Sequence, residues 1–238
     1  MLIPALTEMG FYPSAKWQTP PAFHAALKAA PSAFRQGAIL QFEAADALPL
    51  GKTSQTSLKQ AISVALNGRF RNPWPYTWVL VSKGRPETVT VWAVSDGNMI
   101  SVLHTRANTG VLHSTPDGSW TVYERLPLTT MQGAFPVPLT AYQQRLYAAG
   151  MQDGLSAKGL DITPWHGTMV RWRPYDDHGI KWVNYFDQGR ALHYFPRAGY
   201  GWPQSAGCVE MPDKAAHQVY NAIHFGTVVT VSNPHAAA

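Results

Sequence analysis

Hydrophobic and polar positions follow two different periods along this chain. Near its start the apolar residues recur at helical spacing. Leu58, Ala61, Ile62, Ala65 and Leu66 fall at i, i+3, i+4, i+7 and i+8, which is one face of a helix. Thr56 or Ser57 can cap its start, and Asn67-Gly68 supplies a left-handed stop. Residues 22–30 give another short helical pattern. Asn72-Pro73-Trp74-Pro75 then interrupts any regular element. From residue 77 the period becomes two. Segments 78–82, 88–95, 99–105, 119–124, 169–173, 181–186 and 227–232 are rich in β-branched and aromatic residues and read as strands. Asp96-Gly97 is a hairpin turn signal, and Asp176-Asp177-His178-Gly179 reads as a turn between two strands. Segments 139–151 and 213–225 read as helices, the second ended by Gly226. The pattern therefore predicts a partly helical N-terminal extension, residues 1–75, and a mainly β domain with a few helices, residues 76–238.

Composition narrows the picture. In 238 residues, 45% hydrophobic content excludes wholesale disorder, and 19 Gly with 19 Pro argue for turns rather than a helical bundle. The net charge of +5 comes from scattered residues with no Lys or Arg run. That disfavours nucleic acid and suits a polyanionic surface such as a bacterial wall. No stretch of 18 apolar residues suggests a transmembrane helix. The opening MLIPALTEMGFYPS lacks the pattern of a signal peptide. Cys208 is the only cysteine, so neither an internal disulfide nor a multi-Cys metal site is available. His104, His113, His178, His217 and His224 show no paired ligand spacing, and His166-Gly167 reads as a rim or structural feature. No metal and no cofactor is expected.

The informative constellation surrounds that cysteine. Ala191-Leu192-His193-Tyr194 precedes Ser205-Ala206-Gly207-Cys208-Val209-Glu210-Met211 by about a dozen residues. A thiol becomes a strong nucleophile as thiolate, and an imidazole within reach can take its proton and lower its pKa. A strand end and a returning loop would bring His193 to Cys208. Gly207 permits a tight turn that aims successive N–H groups at one point, as an oxyanion hole requires.

Ser-x-Gly-Cys-Val preceded by a strand-end His resembles the signature of the L,D-transpeptidase catalytic domain, the YkuD-like family. Further segments resemble that family in the same order. They are Thr109-Gly110 with Thr115-Pro116-Asp117-Gly118-Ser119-Trp120, the aromatic strand Trp182-Val183-Asn184-Tyr185-Phe186, and the closing Gly226-Thr227-Val228-Val229. The resemblance covers about residues 77–232. It implies a β-sandwich of mixed sheets and a Cys208 nucleophile. Cys208 would attack the bond between the third stem residue of peptidoglycan, a diamino acid, and D-Ala. A thioester would follow, then transfer to an amine of a second stem. His193 would be the general base and then acid, the Tyr194 carbonyl would orient it, and the N–H groups of Ala206, Gly207 and Cys208 would form the oxyanion hole. Ser205 would shape the loop or act directly. The resemblance also implies action on stem peptides in the periplasm or wall, by a monomer whose leader or anchor is not visible here, and acylation by carbapenems.

Two positions depart from the family pattern. Ala206 stands where His is commoner, and Glu210 where Arg or Asn is commoner. Glu210 changes the charge beside the site and favours an amine-bearing partner. For substrate contact the sequence offers Tyr200, Trp202 and Arg197 near the loop, with Arg197 suited to a carboxylate. Of Trp182 and Tyr185, one should be core and one should line the cleft. Water as acceptor would give an L,D-carboxypeptidase instead. A non-catalytic wall-binding module is the alternative from another class, and the His193–Cys208 pair argues against it.

Overall fold

The computed structural model describes residues 2–151 and 161–234; residues 235–238, the end of the domain read from sequence, lie outside them. Four helices come first: α1 (Leu2–Glu8), α2 (Pro21–Ala29), α3 (Pro31–Ala45) and α4 (Gln55–Asn67). Strands β1 (Thr77–Ser82), β2 (Thr88–Ser95), β3 (Asn98–Arg106), β4 (Gly118–Thr121) and β5 (Glu124–Pro138) follow. After α5 (Ala141–Ala148) come β6 (Ile162–Trp165), β7 (Thr168–Asp187), β8 (Arg190–Tyr194) and β9 (Val209–Met211), then α6 (Asp213–Ala222) and β10 (Val228–Ser232).

The strands form two sheets. The first has the order β3-β2-β1-β10-β4, with β1 and β10 parallel. The second has the order β5-β7-β8-β9, with β6 added on β7 and with β8 and β9 parallel. Alternation in the first sheet sends Val79, Val81, Val89, Val91, Val229 and Val231 to one buried face. There they join Leu192, Val209 and Met211 of the second sheet and Ala215, Ala216 and Val219 of α6 in one core. The other face of the first sheet carries Trp78, Met99 and Val228, which pack on Phe23, Ala26 and Phe34 of the N-terminal helices. Each such aromatic contributes about 2 kcal/mol by burial.

The hairpin β2–β3 turns at Asp96 (φ 48°) and Gly97 (φ 75°), both left-handed, as a type I′ turn demands. Segment 119–124 is not one strand. Val122 N–H bonds to Thr227 in the first sheet and Tyr123 N–H bonds to Tyr185 in the second, so the chain changes sheets there. Nor do Asp176–Gly179 form a turn. They lie inside the 20-residue β7, where Asp176 pairs with Gln132 and Asp177 with Met131, beside a bulge between Thr129 and Met131. The long ladder with β5 overrides local turn chemistry. At the start of α4, Ser54 rather than Thr56 or Ser57 is the cap, accepting from Ser57 N–H. Gly68 stays at φ −72° and Arg69 takes the left-handed position. The helix read over 213–225 ends at Ala222.

Candidate active site

The site is built on the parallel pair β8–β9. Leu192 lies opposite Val209, His193 opposite Glu210 and Tyr194 opposite Met211. Side chains alternate between faces. Leu192, Val209 and Met211 therefore enter the core. His193 and Glu210 point the other way, and one step back along the register puts Cys208 beside Ala191 on that same face. Cys208 and Ala191 indeed share a cluster with Met131, Ile180 and Val183. His193, Cys208, Ser205, Ala206, Arg197 and Glu210 line one cleft of about 230 Å³.

His193 is buried, and its Nδ1 lies 2.8 Å from the Tyr194 carbonyl. A carbonyl only accepts, so Nδ1 carries the hydrogen and Nε2 keeps its lone pair. Burial lowers the His193 pKa below the usual imidazole value, more than the Tyr194 bond and the Glu210 charge raise it. The ring is thus a neutral base with a fixed tautomer. Burial also pushes the Cys208 thiol up to about 11, against the lowering effects of the Ala191 backbone and Arg190. The expectation of a depressed thiol pKa does not hold: desolvation dominates, and the resting sulfur is protonated.

The loop before Cys208 is fixed by its own side chain and by a neighbouring turn. Ser205 Oγ donates to the Cys208 carbonyl at 2.6 Å and accepts from Gly207 N–H at 3.0 Å. Gly207 N–H is therefore occupied, and it does not point freely at a substrate as the sequence reading assumed. The N–H groups of Ala206 and Cys208 have no partner among the described residues. Thr115 Oγ1 donates to the Gly207 carbonyl and accepts from Gly110 N–H. Gly110 and Gly207 touch backbone to backbone: a Cβ on Gly110 would stand 2.8 Å from Gly207 Cα. Gly207 also has φ +152°, which a side chain would strain.

Several residues chosen from sequence for substrate contact have other partners. Arg197 and Glu210 form a bidentate pair, with Nε and Nη2 each 2.7 Å from a carboxylate oxygen. Arg197 also reaches the Gln204 carbonyl. The two charges cancel, so Glu210 does not present a free carboxylate and Arg197 is not a free anion site. Trp182 sits at φ +60° in a bulge of β7, stacks on His217 of α6 at 4.1 Å between ring centres and donates to Asp213. It belongs to the core face. Tyr200 donates to the Phe195 carbonyl at 2.6 Å and tethers its own loop. Trp202 is exposed and overlies Gly199, outside the cleft. Tyr185 packs in the cluster that holds Cys208. The opposite wall, from β5 and β7, consists of Met131, Phe135, Arg173, Tyr175, Asp177 and Ile180. Sequence reading missed this wall because it took 176–179 for a turn. A period of two through Arg173, Tyr175 and Asp177 was the available signal.

A family model described as YkuD, the L,D-transpeptidase catalytic domain, matches residues 76–231. This chain belongs to that family. A search of curated proteins gives no match. Among solved structures, the L,D-transpeptidase from Mycobacterium smegmatis is 16% identical, with 66% of this chain and 59% of that one covered and a TM-score of 0.42. The LD-transpeptidase LdtMt1 in complex with imipenem gives 15%, 66%, 59% and 0.44. The catalytic domain from Enterococcus faecium gives 17%, 66%, 96% and 0.42. The chain thus spans about three fifths of the length of the first two. In this L,D-transpeptidase-family chain, no group of three His, Cys, Asp or Glu among the described residues could hold a metal. His224 stacks on Trp74 at 4.4 Å and His104 bonds to Thr90, so neither faces the cleft.

Proposed function

We propose that the protein is a cysteine-dependent acyltransferase that cross-links peptidoglycan stem peptides, in the periplasm or wall. One observation carries this reading. A neutral imidazole, its tautomer set by a backbone carbonyl, shares a cleft and a sheet face with the chain's lone thiol.

In the first step Cys208 Sγ attacks the carbonyl carbon that joins the third stem residue to D-Ala. His193 Nε2 takes the thiol proton as the bond forms, which suits a sulfur protonated at rest. The carbonyl oxygen becomes an oxyanion facing the N–H groups of Cys208 and Ala206, which no other described residue uses. Each such donor is worth about 3 kcal/mol of barrier. Collapse breaks the C–N bond, and the proton held by His193 passes to the departing D-Ala nitrogen. The acyl group remains on sulfur as a thioester. An amine of a second stem then attacks. His193 takes its proton and returns it to the leaving sulfur, which regenerates the thiol. Ser205 and Gly207 shape the loop in this scheme and touch no substrate.

Incubation with a disaccharide-tetrapeptide tests the reading by mass spectrometry of the products. The expected result is D-Ala release with cross-linked dimers. Tripeptide without dimers would make water the acceptor and the protein an L,D-carboxypeptidase. Unchanged tetrapeptide would contradict the proposal.

A further inference from the structure

The wall facing the thiol carries two charges that the mechanism leaves without a task. Arg173, Tyr175 and Asp177 occupy alternate positions of β7, so one face of the strand presents all three to the cleft. Across the ladder they pair with Phe135, Gly133 and Met131. Gly133 has a reason: a Cβ there would lie 2.6 Å from the Tyr175 hydroxyl oxygen, so the ring rests flat over the glycine.

The charge balance of the cleft singles out two groups. Arg197 and Glu210 neutralise each other. Asp177 is half-buried and makes no hydrogen bond or ion pair with any described residue, although its charge is felt by both His193 and Arg197. Its neighbour Asp176 differs, being exposed and facing His178 at 3.6 Å. Arg173, at the exposed rim, makes no ion pair or side-chain hydrogen bond with any described residue, and its guanidinium lies 5.6 Å from the centre of the Phe135 ring. A half-buried carboxylate without a partner is costly, and a cationic ligand removes that cost.

We propose that Asp177 and Arg173 are specificity residues that read a zwitterionic end of the donor stem, Asp177 taking an ammonium and Arg173 a carboxylate, with Tyr175 as the floor between them. The inference rests on the stem-peptide reading of the cleft given above. A diamino diacid in the third position carries both groups on the carbon at its side-chain end, several bonds from the acyl carbon that Cys208 attacks. Four residues of strand separate Asp177 from Arg173 by about 13 Å at Cα. The long arginine side chain can lean along the strand to narrow that gap to one amino-acid end. A lysine-type stem would engage Asp177 alone.

The test measures binding rather than turnover, using the full chain with Cys208→Ala. The ligands are the disaccharide-tetrapeptide with a free diaminopimelate end, the same compound amidated at that side-chain carboxylate, and the same compound acetylated at that amine. Acetylation should weaken binding about tenfold and amidation about threefold, because Asp177 is the more buried partner. Asp177→Asn should abolish the acetylation penalty and keep the amidation penalty. Arg173→Gln should do the reverse, so each variant serves as the folding control for the other. If neither modification changes affinity by more than about twofold, or if one substitution removes both penalties, the assignment is wrong. Turnover by the unaltered chain without these preferences would overturn this inference alone. Charge-selective binding without turnover would overturn the transferase reading alone.

Discussion

The two faces of the β8–β9 pair sit one peptide apart and have opposite chemistry. Leu192, Val209 and Met211 are fully buried among valines and the alanines of α6. His193, Cys208 and Glu210 share the other face, where His193 is tied to the Tyr194 carbonyl and Glu210 to Arg197, and Cys208 lies beside Ala191. The contrast shows how a short strand pair holds the proposed base and the proposed nucleophile in fixed relation. The apolar face anchors the backbone, and strict alternation then aims the reactive groups. The site inherits its rigidity from the core behind it.

Substitutions on the two faces should separate rate from stability. His193→Gln should lower acyl transfer by about 10²- to 10⁴-fold at a stability cost of only about 1 kcal/mol, since the amide can still donate to the Tyr194 carbonyl while the proton acceptor is lost. Leu192→Ala, one residue away, should cost about 3 kcal/mol of unfolding free energy by leaving a cavity, with activity per folded molecule retained within a few-fold. Denaturant titration and steady-state rates on both variants check the contrast. Equal loss of rate and stability in the two would erase it.

The pH dependence sharpens the same contrast. Burial raises the Cys208 pKa to about 11 and lowers that of His193. Iodoacetamide alkylation of Cys208 should therefore keep rising with pH towards 11, rather than level off near 8.5 as a free thiol would. The folded state disfavours the thiolate, so this group's contribution to stability is present below the unfolded thiol pKa and declines as pH rises through it towards 11. For His193 the sign is opposite: stability is present above the unfolded value near 6.5 and falls as pH drops below it. A smaller effect is expected from Glu210→Gln. It leaves Arg197 without its counter-charge, and partial exposure of Arg197 limits the loss to about 2 kcal/mol.

How much of this was legible beforehand depended on whether the cause was local. The Asp96-Gly97 hairpin and the helix over Leu58–Leu66 follow from turn chemistry and period, and both are present. The Ser205–Cys208 segment was legible because Ser-x-Gly-Cys-Val after a strand-end His resembles the family signature; a lone cysteine by itself reads as an inert buried residue. Non-local causes stayed hidden. Asp176–Gly179 reads as a turn in isolation, and only pairing with β5 makes it strand. The Arg197–Glu210 pair spans 13 residues, so each charge looked available until the fold joined them. Trp182 faces α6 because of a left-handed bulge that no local pattern announces. α3 begins at Pro31, directly after α2, so one proline-broken stretch conceals two helices.

The claim beneath all of this is that Cys208 is the atom that accepts the acyl group. Intact-mass spectrometry after exposure to imipenem measures it directly. One added imipenem mass is expected on the unaltered chain, located on the peptide containing Cys208, and none on Cys208→Ala. An unmodified chain after prolonged exposure, or an adduct that survives the Cys208→Ala substitution, would contradict it.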